Sequence, residues 1–165
     1  MEQERIIHTI PPVYDENSRV LLLGTMPSPK SREAGFYYGH PQNRMWPVLA
    51  SLFGEETPQG TDARRAFLLR HRIAMWDVLG SCTIRGADDG SIRDPEPNDL
   101  GPLLESAPIA AIFTTGKKAY TLYNRYIAPN TGREAVCLPS TSPANCRYET
   151  LETLKAAYGV LLKYL

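Results

Sequence analysis

The sequence is short of cysteine, of long apolar runs and of net charge. Its three cysteines are widely spaced and include no C-x-x-C pair, so we expect no disulfide framework and no zinc or iron–sulfur site, and a reducing cytoplasm fits. No apolar run approaches the roughly 20 residues that a membrane-spanning helix needs, and the acid-containing start MEQERIIHTI does not resemble a signal peptide. The 18 basic and 18 acidic residues cancel, which argues mildly against a nucleic-acid partner because phosphate contacts require Lys and Arg.

The composition present is that of a globular protein, with 42% apolar and 22% charged residues. A chain of 165 residues can bury a real core, and we expect one domain over residues 1–165. The neutral average hides local bias, since several cations stand beside the polar loops described below: Lys30, Arg32, Arg44, Lys117, Lys118 and Arg147. A DNA partner therefore stays open.

Short apolar runs alternate with helical stretches along the chain. The runs that predict strands are Val20–Leu23, Ile73–Val78, Ile109–Thr114 and Ala135–Leu138. The stretches that predict helices are Trp46–Phe53, Asp62–His71, a helix after Gly116, and a closing helix Tyr148–Leu165 with an apolar stripe at Leu151, Leu154, Tyr158, Leu161 and Leu162. This alternation predicts a three-layer α/β/α sandwich around a mostly parallel four-stranded sheet.

The segments that follow the four strands are rich in Gly, Pro, Ser and aromatic residues. They read GTMPSPKSREAGFYYGHPQNRMW, LGSCTIRGADDGSIRDPEPND, TGKKAY and PSTSPANCR. Ligands of such folds bind outside the carboxyl ends of the strands. Four unusual loops should therefore converge on one edge of the sheet and form a site there.

The first of these loops is too long and too aromatic for a simple connector. Gly24 and the backbone of Thr25 and Met26 could present N–H groups to a ligand, and the aromatic side chains that follow offer flat faces for stacking. Asn43 supplies an amide that can donate and accept. The alternative is that the loop packs a surface crevice and Asn43 caps the helix that begins near Met45.

The loop after the fourth strand places small hydroxyl residues between two prolines, which fix its shape before binding. Ser140, Thr141 and Ser142 could bond phosphate oxygens, with Arg147 adding charge. The alternative is an ordinary helix N-terminus with Ser/Thr caps, which this segment favours when taken singly.

Other polar residues have weaker signals. The pair Lys117-Lys118 opens a helix and could bind an anion, or could simply be solvated. Asp77 ends the second strand and could be a general base or, as we favour, a structural acceptor for loop N–H groups. Asp88-Asp89-Gly90 is typical of a turn, and Asn98-Asp99 of a helix cap. His8 and His71 have no recognisable partner.

Taken together, the segments resemble the uracil-DNA glycosylase superfamily over nearly the whole chain. GFYYGHPQNRMW is similar to the G-F-x-[FY]-x-H-P-x-N-R-[FM]-W segment of the mismatch-specific branch, TGKKAY to its G-K-x-A-Y segment, and LPSTSP stands where that branch has L-P-N-P-S. That branch carries a catalytic Asn in G-x-N-P, where this chain has Met26. The hypoxanthine-DNA glycosylases also lack it and share G-[ST]-[ML]-P-S, H-P-x-N, W-D-V and the S-I…P-N-D stretch.

The resemblance implies a metal-independent, cofactor-free, monofunctional glycosylase that flips a deaminated base, hypoxanthine in preference, out of single- or double-stranded DNA and hydrolyses its glycosidic bond. It assigns catalysis to Asn43 and stacking on the flipped base to Tyr38. The base-binding residues it implies are Gly24, Thr25, Met26, Tyr38, His40 and Thr115, the last standing where some relatives have Asn. The DNA-binding residues are Ser28, Lys30, Arg44, Lys117, Lys118, Ser140, Thr141, Ser142, Pro143, Ala144, Asn145 and Arg147.

Two alternatives stay open beside this hypothesis. One is a uracil or broad deaminated-base glycosylase on the same scaffold. The other is a non-catalytic module that binds nucleosides or damaged DNA, with Met26 marking lost activity. We further expect a cytoplasmic monomer that has no membrane partner.

Overall fold

A four-stranded parallel sheet forms the centre of the computed structural model, which describes residues 2–147 and 149–165. Its strands are β2 (Val20–Gly24), β3 (Ile73–Asp77), β6 (Ala111–Thr115) and β7 (Ala135–Leu138), and their spatial order is β3-β2-β6-β7. Each neighbouring pair is parallel. The predicted sheet is confirmed, with strand boundaries within two residues of those expected.

Helices cover both faces of this sheet. The helices are α1 (Pro29–Ala34), α2 (Met45–Leu52), α3 (Thr61–Arg70), α4 (Gly101–Ser106), α5 (Lys117–Tyr126), α6 (Ala128–Thr131) and α7 (Leu151–Tyr158), with 3₁₀ turns at Pro143–Asn145 and Gly159–Tyr164. No helix in the described ranges is both long and apolar enough to cross a membrane. The three-layer α/β/α architecture is confirmed.

Strand β2 shows how the two layers are built. All five of its residues are buried, and successive side chains of a strand point to opposite faces. Val20 and Leu22 join one apolar cluster with residues of α2, α3 and α7. Leu21 and Leu23 join a second cluster with residues of α4 and α5. The continuous apolar run in the sequence therefore reflects burial on both faces.

A second, antiparallel sheet was not predicted. Strands β1 (Gln3–Ile7), β4 (Leu79–Arg85) and β5 (Asp88–Pro97) pair in the order β1-β4-β5. The sequence pattern indicated a loop here because β5 is largely exposed and contains Asp, Gly and Pro, residues that are depleted in strands. Register shifts between β4 and β5 further obscure any alternation.

Of two local expectations in this region, one was wrong and one half right. Asp88-Asp89-Gly90 lies within β5, and the hairpin turns instead at Gly86 and Ala87. Of the expected cap Asn98-Asp99, Asn98 caps no helix: its Nδ2 donates to the backbone oxygens of Asp77 (2.9 Å) and Leu79 (3.1 Å) and joins the start of β4 to the end of β3. Asp99 Oδ1 does accept from the Gly101 N–H at 2.9 Å, at the start of α4.

The closing helix is shorter than predicted. It begins at Leu151 behind a Thr150 capping box and becomes 3₁₀ after Tyr158, and Tyr148, the expected start, lies outside the described residues. The change of helical pitch rotates the last side chains. Leu161 is fully buried, whereas Leu162 is 45% exposed and Leu151 is also exposed. The predicted apolar stripe is therefore wrong at Leu151 and Leu162.

This rotation predicts unequal effects at adjacent leucines. Leu161→Ala should lower the free energy of unfolding by about 2–5 kcal/mol, since it leaves a cavity in the core. Leu162→Ala is the matched control and should stay within about 0.5 kcal/mol of the parent. Chemical denaturation of both variants checks this, and equal losses would contradict the 3₁₀ ending.

Candidate active site

A cavity of about 330 Å³ opens at the carboxyl ends of the parallel strands. The segments that follow β2, β3 and β7 reach it, whereas β6 contributes its last residue, Thr115. The sequence pattern predicted that the segments after all four strands meet at this edge. Most expected base- and DNA-contacting residues line it: Gly24, Thr25, Met26, Ser28, Tyr38, His40, Asn43, Thr115, Ser140, Thr141, Ser142, Pro143 and Ala144. Further lining comes from residues that sequence reasoning had not assigned, among them Pro27, Ser31, Tyr37, Ile84, Gly86, Ala87 and Asp89.

Asn43 is held by two hydrogen bonds to its carbonyl oxygen. Its Oδ1 accepts from the Met45 N–H at 2.9 Å and from the Thr141 hydroxyl at 2.8 Å. The first bond satisfies a free N–H at the start of α2, so the capping alternative and a site role coexist in one side chain. Within residues 2–147 and 149–165 the Asn43 Nδ2 has no hydrogen-bond partner, and as an amide nitrogen it can only donate.

Thr141 positions Asn43 and is almost fully buried at the cavity wall. It is 1% exposed, its hydroxyl donates to Asn43 Oδ1, and its carbonyl accepts from the Arg44 N–H at 3.1 Å. Such burial corrects the expectation that Thr141 binds DNA phosphates.

Tyr38 joins the first loop to the end of β6. Its hydroxyl lies 2.9 Å from Thr115 Oγ1, which itself donates to the Leu23 carbonyl at 3.4 Å. Burial raises the pKa of the Tyr38 phenol above its usual range, and the nearby Asp77 carboxylate adds to that shift. A neutral phenol can therefore donate to Thr115. Tyr38 also has a positive φ of 51°, an uncommon conformation that clusters at functional sites.

Gly24 lets these groups meet. A Cβ atom at this position would lie 2.5 Å from Asp77 Oδ1 and 3.0 Å from Tyr38 Oη. No side chain fits in that space, so the carboxyl end of β2 must be glycine for the three residues to approach one another.

His40 belongs to the same loop and follows Tyr38 by two residues. Its Nδ1 accepts from the Gln42 N–H at 3.0 Å, which places the proton of a neutral ring on Nε2. The half-buried ring lines the cavity and can offer that N–H to a ligand.

The loop after β7 is fixed by its own hydrogen bonds. Ser140 Oγ accepts from the Ser142 N–H at 3.1 Å, and Ser142 Oγ accepts from the Ala144 N–H at 3.2 Å, as a cap of the 3₁₀ turn. Asn145 Nδ2 donates to the Ser140 carbonyl at 3.0 Å, so Asn145 braces the loop from behind. Ala144 is the exposed tip.

The predicted cations divide into two groups. Arg44 is engaged within the protein, since its guanidinium donates to the carbonyls of Glu149 and Ser142, which favours a structural role over phosphate contact. Lys30 is exposed and pairs with Glu33 at 3.5 Å, a weak surface contact. Lys117 and Arg147 are exposed, and Lys118 is half-buried at the start of α5.

Sequence reasoning expected the segment after β3 to reach this edge but assigned none of its residues to the site, and it missed the partner of Asp77. The tip of the β4–β5 hairpin brings Gly86, Ala87 and Asp89 to the cavity wall. Asp77 also lines the cavity. In the part of the chain that the structure describes, no loop N–H donates to its carboxylate, and its Oδ2 lies 2.8 Å from His8 Nε2. His8 and Asp77 are 69 positions apart, so no local spacing could reveal the pair.

No group of three or more His, Cys, Asp or Glu side chains among residues 2–147 and 149–165 is arranged to hold a metal ion. The polar groups that line the cavity include the Asn43 amide, the hydroxyls of Tyr38 and Thr115, the His40 ring and the Asp77 carboxylate. All of them surround one cavity.

Comparisons with known proteins agree with the fold and the motifs. The family described as "Uracil DNA glycosylase superfamily" matches residues 11–163. A hypoxanthine DNA glycosylase from Methanosarcina barkeri (strain Fusaro / DSM 804) is 34% identical over 157 residues, covering 93% of this chain and 96% of the relative. One from Methanosarcina acetivorans is 35% identical over 142 residues, covering 84% and 87%.

A solved structure shows the same fold. The solution NMR structure of a candidate uracil DNA glycosylase from Methanosarcina acetivorans has a TM-score of 0.78 and 32% identity, and the alignment covers 94% of this chain and 98% of that one. These findings confirm the resemblance that the motif blocks indicated. The chain belongs to the uracil DNA glycosylase superfamily.

Proposed function

We propose that the protein is a monofunctional DNA glycosylase that flips a deaminated base, preferentially hypoxanthine, into the cavity and hydrolyses its N-glycosidic bond. The names of the two archaeal relatives support the choice of base. The observation that carries the proposal is the Asn43 amide, whose oxygen is engaged and whose Nδ2 remains available beside a cavity of about 330 Å³.

A base inside the stack cannot reach this cavity, so it must first be extruded at a cost of a few kcal/mol. Inosine pairs weakly, which lowers that cost. The Tyr38 ring would stack on the extruded base, a contact worth about 1–3 kcal/mol. The rigid loop with Pro143 and Ala144 at its surface would brace the vacated gap in the duplex.

Bond cleavage leaves negative charge on the departing purine. A fixed hydrogen-bond donor stabilises such charge without reorganising at the moment of reaction. Asn43 Nδ2 fits this role because its orientation is set by Met45 and Thr141. Met26 lines the same cavity, but its thioether side chain has no hydrogen to donate.

DNA contact would rest on Lys30, Lys117, Lys118 and Arg147, of which Lys30 makes only a weak surface pair with Glu33. We also propose that the protein acts as a monomer in the cytoplasm. Cys82, Cys137 and Cys146 are all free thiols, which suits a reducing compartment.

Base release from defined duplexes tests the function. Oligonucleotides containing inosine, uracil or xanthine are incubated with the protein, and abasic sites are cleaved with alkali and separated on a gel. We expect the inosine strand to be cut fastest and the unmodified strand to stay intact. Faster cutting at uracil would favour a uracil glycosylase, and binding without release from any duplex would favour a non-catalytic module.

The donor role of Asn43 predicts that Asn43→Asp is as harmful as Asn43→Ala. The carboxylate can still accept from Met45 and Thr141 but cannot donate to the base, so single-turnover release of hypoxanthine should fall by ~10²-fold or more. Gln42→Ala, at the exposed neighbouring position, is the control and should retain the parental rate. Near-parental release by Asn43→Asp would place catalysis elsewhere.

The stacking role of Tyr38 predicts a dependence on the substrate. Tyr38→Phe keeps the ring and should be nearly silent, whereas Tyr38→Ala should lose roughly 1–3 kcal/mol of flipped-state stabilisation. The loss should be larger on duplex than on single-stranded inosine DNA, because only the duplex must be unpaired. Equal losses on both substrates, with a large drop in melting temperature, would instead mark Tyr38 as a packing residue.

The sparse cations predict a shallow but measurable salt dependence of DNA binding. Lys117→Gln and Lys30→Gln should each reduce the slope of log K against log salt concentration by about one unit. Lys163→Gln, exposed in the C-terminal 3₁₀ segment, changes the net charge equally and should leave the slope unchanged. If the DNA affinity of the parent protein hardly changes with salt concentration, the proposed phosphate contacts would be contradicted.

A further inference from the structure

Asp77 is a buried carboxylate at the end of a central strand, directly on the cavity wall. It is the last residue of β3, and its side chain is 5% exposed. Asn98 Nδ2 donates to its backbone oxygen at 2.9 Å, which fixes the strand end. The position of the carboxylate is therefore set by the sheet and does not depend on a mobile loop.

The two carboxylate oxygens have different surroundings. Oδ2 lies 2.8 Å from His8 Nε2. Among the described residues, no hydrogen-bond donor contacts Oδ1. This oxygen is not sealed from solvent, and because Asp77 lines the cavity, Oδ1 is accessible from it. A buried carboxylate with one oxygen left free destabilises a fold, and such groups are concentrated at functional sites.

His8 holds this carboxylate from behind. It follows β1, and its backbone N–H donates to the Gly80 carbonyl at 2.8 Å. Its side chain is only 1% exposed and lies beside the rings of Tyr37 and Trp76, at centroid distances of 6.0 and 6.3 Å. The ring can thus do little except donate to Asp77. Because His8 directly follows β1, the antiparallel sheet that the sequence did not reveal places this histidine at the site.

We propose that Asp77 is a second catalytic residue, whose Oδ1 faces C1′ of the flipped nucleotide and its attacking water, and that His8 is the positioning residue that orients it. The assignment rests on the proposed glycosylase function. It places the carboxylate on the sugar side, because next to the base it would repel the charge that the Asn43 amide stabilises.

The chemistry of the step is balanced by the groups present. As the C1′–N9 bond breaks, its electron pair leaves with the purine and positive charge develops on the deoxyribose, where the carboxylate stabilises it. Water then forms the C1′–O bond and gives a proton to Asp77 Oδ1. That proton passes to the purine anion, directly or through solvent, which restores the carboxylate and yields free base and an abasic sugar.

Near-isosteric variants separate catalysis from folding. Asp77→Asn should lower single-turnover release of hypoxanthine by ~10²-fold or more while changing the Kd for inosine DNA by no more than about threefold. His8→Ala should lower the rate by roughly tenfold, and His8→Gln should recover most of it because its amide can still donate to Asp77. Asp99→Asn, an exposed residue outside the cavity, is the charge-matched control. An unchanged rate in Asp77→Asn would overturn the catalytic role of Asp77. A folded His8→Gln variant that is as slow as His8→Ala would overturn the positioning role of His8.

A second measurement does not depend on which base is released. The parent protein should bind DNA with a cationic pyrrolidine abasic analogue at least about tenfold tighter than DNA with the neutral tetrahydrofuran analogue, because the first mimics the charged sugar. Asp77→Asn should abolish that preference. If the parent protein prefers the cationic analogue but releases no hypoxanthine, the proposed roles of Asp77 and His8 stand and the choice of base is refuted. A parent that releases hypoxanthine without any such preference would refute the charge role of Asp77 and retain the function.

Discussion

The close approach of three chain segments at Gly24 is the constraint on which the rest of the site depends. A single added carbon there would lie within 3.0 Å of both the Asp77 carboxylate and the Tyr38 hydroxyl. Because Gly24 has no side chain, the ends of β2 and β3 and the first loop can share one space, and the Tyr38–Thr115 hydrogen bond adds the end of β6. Packing of this kind fixes polar groups on rigid strands, which is what a preorganised site requires.

The loops around the cavity are held by protein groups that, from sequence, looked like ligands of DNA. Arg44 bridges Ser142 and Glu149, and Thr141 donates to Asn43. The first loop and the loop after β7 therefore form one unit, although they lie about a hundred residues apart. The conformational entropy of these loops is lost during folding, so little more is lost when DNA binds.

Donor and acceptor are kept apart within this rigid frame. Asn43 has only a donor left to use, because its oxygen is taken. An ionised Asp77 can only accept, and Oδ1 is the oxygen left to do so because His8 engages Oδ2. In glycosidic hydrolysis the base becomes negative while the sugar becomes positive, so two groups of opposite character suit the two halves of the substrate.

The sequence by itself determined what is encoded in contiguous residues. The run at Val20–Leu23 and its three counterparts predicted the parallel sheet, since strands buried on both faces are continuously apolar, and the HPQNRMW block placed Asn43 at the site. Only the tertiary structure decided the roles that depend on distant partners. The exposed, Pro- and Asp-containing β5 forms a strand because β4 pairs with it. Arg44 turns inward because the carbonyls of Ser142 and Glu149 accept from it, and His8 meets Asp77 across 69 positions. Hydrogen bonds between remote segments leave no periodicity in the sequence, whereas burial of a strand does.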